Sequence, residues 1–159
     1  MVRIEKILIH IQYIEFLNRN IEAEETRLFC HHDFQHAVDV ARVAYILALE
    51  NKLSISKEVI YASGLLHDIG RWKEYAEGVD HASESAILAS PILEHCGFNK
   101  EESARILHAI DHHRNKNQDQ NSLGWILFEA DKKSRLCCEC LTRDMCKRFQ
   151  HHHKPELYY

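Results

Sequence analysis

An all-α helical bundle is the fold class this sequence predicts, on three observations. Only five glycines and two prolines stand among 159 residues, too few for the many tight turns of a sandwich or barrel. No stretch alternates apolar and polar residues with the period of two that marks a half-buried strand. Apolar residues instead recur three and four apart along several long segments. The length fits one domain, 1–159, and a chain of this size hides about two-thirds of its unfolded surface without disulfide staples.

Residues 3–19 read as the first helix, with Ile4, Ile7, Leu8, Ile11, Ile14, Phe16 and Leu17 near a period of 3.6. Asp33 is placed to cap a second, whose Phe34, Ala37, Val38, Ala41, Ala44, Tyr45, Ala48 and Leu49 form one stripe. Ser54 or Ser56 opens a third that runs to about Asp68, with Gly70 as its C′ residue. Residues 71–79 read as a loop or short helical turn. Asp80 opens a helix to about Cys96, with a kink or break expected near Pro91. Asn99 and Glu102 form a capping-box pattern for a helix to about His113. A polar loop over 114–121 leads to a final helix over about 122–135, then a cysteine-rich segment, 137–150, and a mobile tail, 151–159.

Charge and composition exclude several functions. A net charge of −4 calls for neither nucleic acid nor an acidic membrane as partner. The longest apolar runs, Val43 to Leu49 and Val59 to Leu66, are too short to span a bilayer. Met1 to Lys6 shows no secretory signal, so the expected compartment is the cytoplasm. Six cysteines are then reduced thiols or metal ligands. Thirteen histidines are the outlier, so imidazole chemistry is sought first.

His67 and Asp68 stand side by side where the third helix ends, and there both side chains can turn towards one ion. If the helices over 33–50 and 57–68 pack antiparallel, His36 and His67 are offset by about 6 Å along the axis. Asp131 falls on the side of Leu127 and Phe128 and faces inward, which is costly unless it is paired or binds a cation. His36, His67, Asp68 and Asp131 make a mixed N/O set suited to iron, manganese or zinc and unsuited to calcium. Folding 80–96 and 99–113 as a hairpin brings His81 and His113 to the same end. His113 lies on the Ile106/Ile110 face and is preferred over His112, the alternative, which falls with Glu101, Arg105 and His108.

The order His36 … His67-Asp68 … Asp131 resembles the HD (His-Asp) superfamily of metal-dependent phosphohydrolases. Supporting segments are His36-Ala37-Val38-Asp39-Val40-Ala41, Leu65-Leu66-His67-Asp68-Ile69-Gly70-Arg71, Ala109-Ile110-Asp111-His112-His113-Arg114 and Ala130-Asp131-Lys132. The resemblance covers about 30–136 and implies a helical bundle. It implies that His36, His67, Asp68 and Asp131 hold a first ion. His81 and His113 would be the extra ligands of members with two ions, with Asp68 bridging. Arg71 stands where many members have lysine, exchanging a point charge for a bidentate fork.

The activity so implied is hydrolysis of a nucleotide or other small phosphorylated metabolite, using one or two divalent transition ions. Asp68, Arg71 and Lys132 are the expected catalytic residues. Arg71, Arg114, Lys132 and Arg135 each lie within four residues of a ligand and are the expected phosphate-binding cations; the alternative for each is a solvated, salt-bridged surface. Two other readings stand beside hydrolysis: an oxygen-using di-iron enzyme of the same superfamily, and a sensor that binds ions or nucleotide without turnover. The first helix, apolar on one side, covers the bundle or mediates a homodimer.

Cys137, Cys140 and Cys146 form a C-x2-C-x5-C cluster, with Cys138 as an extra thiol. Cys30, six residues before His36 as Cys137 is six after Asp131, is the expected fourth ligand, with His31 or His32 as substitutes. The product is a structural zinc site or an iron–sulfur cluster; the alternative is a group of reduced thiols. Cys96 reads as a core residue, and His151, His152 and His153 as adventitious metal binders.

Overall fold

The computed structural model describes residues 1–149 and 154–159, so His151, His152 and His153 lie outside the described residues. Among the described residues eight α-helices follow in order: α1 Val2–Leu8, α2 Ile11–Ala23, α3 Phe34–Glu50, α4 Lys57–Leu66, α5 Arg71–Glu77, α6 His81–Cys96, α7 Lys100–Asp111 and α8 Leu123–Lys133. Two 3-10 turns, Arg143–Met145 and Lys147–Phe149, follow α8. Among the described residues there is no strand, and no helix is long and apolar enough to cross a membrane.

Short polar side chains start the helices as expected. Asp33 accepts from His36 N at 2.9 Å, Asp80 from Ser83 N at 3.1 Å, and Ser122 from Trp125 N at 3.1 Å. Asn99 and Glu102 form the reciprocal capping box. The helix α3 packs on α4 and α8, while α7 packs on α4, α6 and α8; α1 lies across α4 and α6. Ile60 and Leu66 of α4, Ile106 and Ile110 of α7, and Leu127 of α8 are fully enclosed, each worth about 1.5–3 kcal/mol by burial. Gly64 lets α3 and α4 approach closely: a Cβ there would lie 2.6 Å from Ala41 Cα. Arg3 ties the outer helix down, with Nε 2.7 Å from Glu58 Oε2 and Nη1 2.6 Å from Glu102 Oε2.

Four expectations are corrected. The single helix over 3–19 is two helices broken at Ile9 and His10. The buried face passes from Ile4 and Ile7 to Tyr13, Phe16 and Asn20, and Ile11 and Ile14 are exposed. On one continuous helix, Ile7 and Tyr13 would point about 120° apart, and the break lets both face the core. The segment 71–79 contains the two-turn helix α5, which buries no residue fully. Gly70 is not a left-handed C′ residue: its φ is −95° and it caps α5. It is needed because a Cβ would lie 2.7 Å from Ser85 N. Finally, α6 runs unbroken through Pro91, whose ring is on the solvent side.

Candidate metal centre

The chain leaves α4 through His67-Asp68-Ile69-Gly70, a tight turn that aims two neighbouring side chains at one region. Asn20 of α2, fully buried, clamps this turn. Its Nδ2 donates to Asp68 O at 2.8 Å and its Oδ1 accepts from Trp72 N at 2.8 Å. Asp68 therefore sits at a fixed point where α2, α4 and α5 meet.

Five imidazoles surround that carboxylate. Its Oδ2 is 3.0 Å from His67 Nε2, 3.9 Å from His36 Nε2 and 4.0 Å from His32 Nε2. Its Oδ1 is 3.2 Å from His81 Nε2 and 3.6 Å from His113 Nε2. Asp131 Oδ1, from α8, is 3.2 Å from His36 Nε2. Two sets of potential ligand atoms lie within 4.8 Å of one another: His36, His67, Asp68 and Asp131, and then Asp68, His81 and His113. The structure thus brings all six expected ligands together, with Asp68 in both sets. His112 stays outside and pairs with Asp111 at 3.3 Å.

The rings are oriented from behind. His67 Nδ1 lies 2.8 Å from Gly64 O, and His113 Nδ1 lies 2.7 Å from Ile110 O. A carbonyl only accepts, so each Nδ1 carries the proton and each Nε2 presents its lone pair to the cluster. Glu74 Oε2 does the same for His81 Nδ1 at 2.8 Å, and Glu24 Oε1 for His32 Nδ1 at 2.5 Å. Two buried atoms at the centre, His67 Nε2 and Asp68 Oδ1, have no hydrogen-bond partner. Orphaned buried donors and acceptors are costly. Here both belong to a mixed N/O set whose lone pairs converge, and a divalent transition ion satisfies them. The residues present fit such ions.

Electrostatics agree. Burial pushes His36 and His113 down to about 4, so both are neutral ligands near pH 7. Burial also opposes the charge on Asp131 and Asp68, but the neighbouring histidines win and hold both carboxyls below their ordinary value. Glu24 follows the same logic. Burial would raise it, yet His32 and the Tyr75 hydroxyl, 2.7 Å from Oε1, bring it to about 2.

The cluster opens into a cleft of about 310 Å³ whose wall includes Arg71, Arg114, Lys132, Arg135 and Arg148. Arg71 is mostly buried, with Nη1 3.1 Å from Glu74 Oε2 and Nε donating to Tyr75 at 3.1 Å. Arg114 is more exposed and pairs with Asp80 at 3.0 Å. Burial lowers Lys132, whose ammonium lies 3.2 Å from the Phe128 ring centroid. Arg135 donates to His31 O at 2.7 Å and lies 2.9 Å from His36 Nε2, closer to the ligands than a phosphate-binding role alone requires.

Four residues of this site were not foreseen in these positions. His32, offered above only as a substitute ligand for the cysteines, faces Asp68. Its partner Glu24 and the clamp Asn20 lie just beyond the helix expected over 3–19 and have no role assigned from the sequence. Arg148 was likewise unassigned. One signal was available: His32 and His36 are four apart, the spacing of one helical turn, although His32 precedes the helix. The cysteines expected to form a second centre do not converge on one point. Cys30, Cys137, Cys140 and Cys146 are half-buried and unbridged, but no three of their sulfurs fall within 4.8 Å of one another. The 3-10 turns on either side of Cys146 bury no side chain.

An α-helical bundle closed around a shared carboxylate, with imidazoles on both its oxygens and cations at the mouth, defines a metal-binding helical domain of the His … His-Asp … Asp order. Residues 33–136 match the HD domain family. The chain belongs to that family. It is 36% identical over 159 residues, the full length of both, to an uncharacterized protein of Clostridium beijerinckii. It is 32% identical over 103 residues to Ribonuclease Y of Pelobacter propionicus, covering 64% of this chain and 18% of that one. The crystal structure of a predicted HD superfamily hydrolase from an uncultured Thermotogales bacterium superposes with a TM-score of 0.57 at 34% identity, over 75% of this chain and 66% of that one.

Proposed function

We propose that this protein is a metal-dependent phosphohydrolase acting on a nucleotide or another small phosphorylated metabolite. The observation that carries the proposal is the pairing of a two-set His/Asp cluster with a cationic rim on one cleft. The ions, when bound, supply positive charge that polarises a phosphoryl oxygen and acidifies water. The chain supplies the rest. Arg71, held by Tyr75 and Glu74, presents a fixed charge to a phosphate oxygen, and Lys132 and Arg114 add positive charge at the cleft wall. His32 points Nε2 into the cleft, with buried Glu24 accepting from Nδ1 behind it. It is placed to give a proton to the departing oxygen, as a general acid does. A cleft of about 310 Å³ lies at the small end of ligand sites, which run from about 300 to 1,000 Å³. That supports a small substrate over a polymer, although one relative is named a ribonuclease.

The test is a metal-loaded screen. Protein loaded in turn with Fe, Mn or Zn is offered nucleotides, dinucleoside polyphosphates, sugar phosphates and a short oligoribonucleotide, and phosphate release is measured. Release from a small phosphate ester or anhydride is expected, falling about a thousandfold or more in Asp68→Ala, since a lost ion removes several kcal/mol of transition-state stabilisation. Turnover that needs iron and dioxygen, or cleavage of the oligoribonucleotide alone, would replace this reading. His32→Gln is expected to slow substrates with poor leaving groups by about a hundredfold while sparing an activated nitrophenyl ester. Equal losses on both would remove His32 from proton transfer.

A further inference from the structure

The cysteines lie outside the chemistry proposed above, yet their placement is ordered. A series of i to i+3 hydrogen bonds steps through the segment: Cys140 N to Cys137 O at 3.4 Å, Arg143 N to Cys140 O at 3.3 Å, Cys146 N to Arg143 O at 2.9 Å and Phe149 N to Cys146 O at 2.9 Å. Cys137, Cys140 and Cys146 each open one of these turns through their carbonyl oxygens. Cys138 opens none of them and is exposed, whereas the other three are half-buried. Cys30 is brought to the same place from the far end of the sequence. Arg135, two residues before Cys137, donates to His31 O at 2.7 Å, and Arg27 donates to Cys30 O at 2.9 Å. Cys30 shares the cleft wall with Arg135 and Arg148, and Arg148 Nη1 lies 4.0 Å from Cys137 Sγ.

We propose that Cys30, Cys137, Cys140 and Cys146 bind one zinc-type divalent ion as four thiolates, fastening the segment 137–149 to the loop before α3 at the lip of the cleft. The segment needs such a fastening. Neither 3-10 turn buries a side chain, and Leu141 and Met145 are exposed, so no apolar core holds it. Thiolates gathered in one place repel one another, and a divalent cation turns that repulsion into attraction. No three sulfurs yet lie within 4.8 Å, so the ion draws the set closed as it binds. Binding is balanced by release of four thiol protons to solvent, leaving a tetrathiolate complex of net charge −2.

Site-resolved alkylation of the full, reduced chain tests this, read by mass spectrometry with and without added zinc. Zinc is expected to slow modification of Cys30, Cys137, Cys140 and Cys146 by about tenfold or more and to leave Cys138 unchanged. Uniform protection, or none, overturns the proposal. Cobalt(II) loading of Asp68→Ala, whose His/Asp cluster is disabled, is expected to retain one ion with thiolate charge-transfer absorption. The double variant C140S/C146S is expected to lose that ion and band while the cluster ions stay bound, which shows that it has folded. A cobalt spectrum without thiolate character, or acid-labile sulfide in the purified protein, also overturns it.

Discussion

The His/Asp cluster and the cysteine segment are both sets of metal-ligating side chains, and they are built in opposite ways. Around Asp68 the ligands stand on or beside five packed helices, and outer acceptors set the rings of His67, His81 and His113. At the cysteines the backbone is a string of short turns, and the sulfurs have no comparable support. The first site is organised before any ion arrives and carries the electrostatic cost of that organisation. The second leaves the organising to its ligand. Helices that bury apolar faces can hold costly polar groups in place; turns without a core cannot.

The largest expected effect on this contrast is at the supports behind the rings. Glu24 has its folded-state pKa depressed to about 2 from 4.5. Its contribution is therefore fully present above pH 4.5 and is lost as pH falls from there to about 2, a difference of order 3 kcal/mol. In metal-free protein Glu24→Gln should flatten the acid side of the stability profile in that window. An unchanged slope in denaturant titrations would mean that the preset rings carry no such linkage. A smaller effect is expected for Glu74→Gln, which loosens the support behind His81: ion affinity at the set of Asp68, His81 and His113 should fall about 10–100-fold, measured by competition with a chelator. No change in affinity would mean that ring orientation there is set by packing alone. The smallest is Cys138→Ser, which should change thermal stability by no more than about 0.5 kcal/mol, with or without zinc. A larger shift would place the exposed thiol in the segment's support after all.

The same contrast explains what was legible in the sequence. Helices α3, α6 and α7 carry both an apolar stripe and a capping side chain, and each was read to within a residue or two. The two sets of cluster ligands were legible because helix periodicity and antiparallel packing fix direction. The break between α1 and α2 was not, because apolar residues continue through it and only the tertiary core chooses Tyr13 over Ile11 and Ile14. Helix α5 reads in sequence only as a loop or short helical turn, because it buries no residue fully and offers no stripe. His32 and Glu24 lie near or within the segment between α2 and α3, where no period fixes side-chain direction.

Asn20 carries one more consequence. The match to the family begins at residue 33, yet the clamp on Asp68 comes from residue 20, and the brace on His32 from residue 24. The unit that sequence comparison delineates is therefore smaller than the unit that keeps the ligands in register. A domain excised at the boundary of resemblance would retain every ligand of the two His/Asp sets and lose the buttress that aims them.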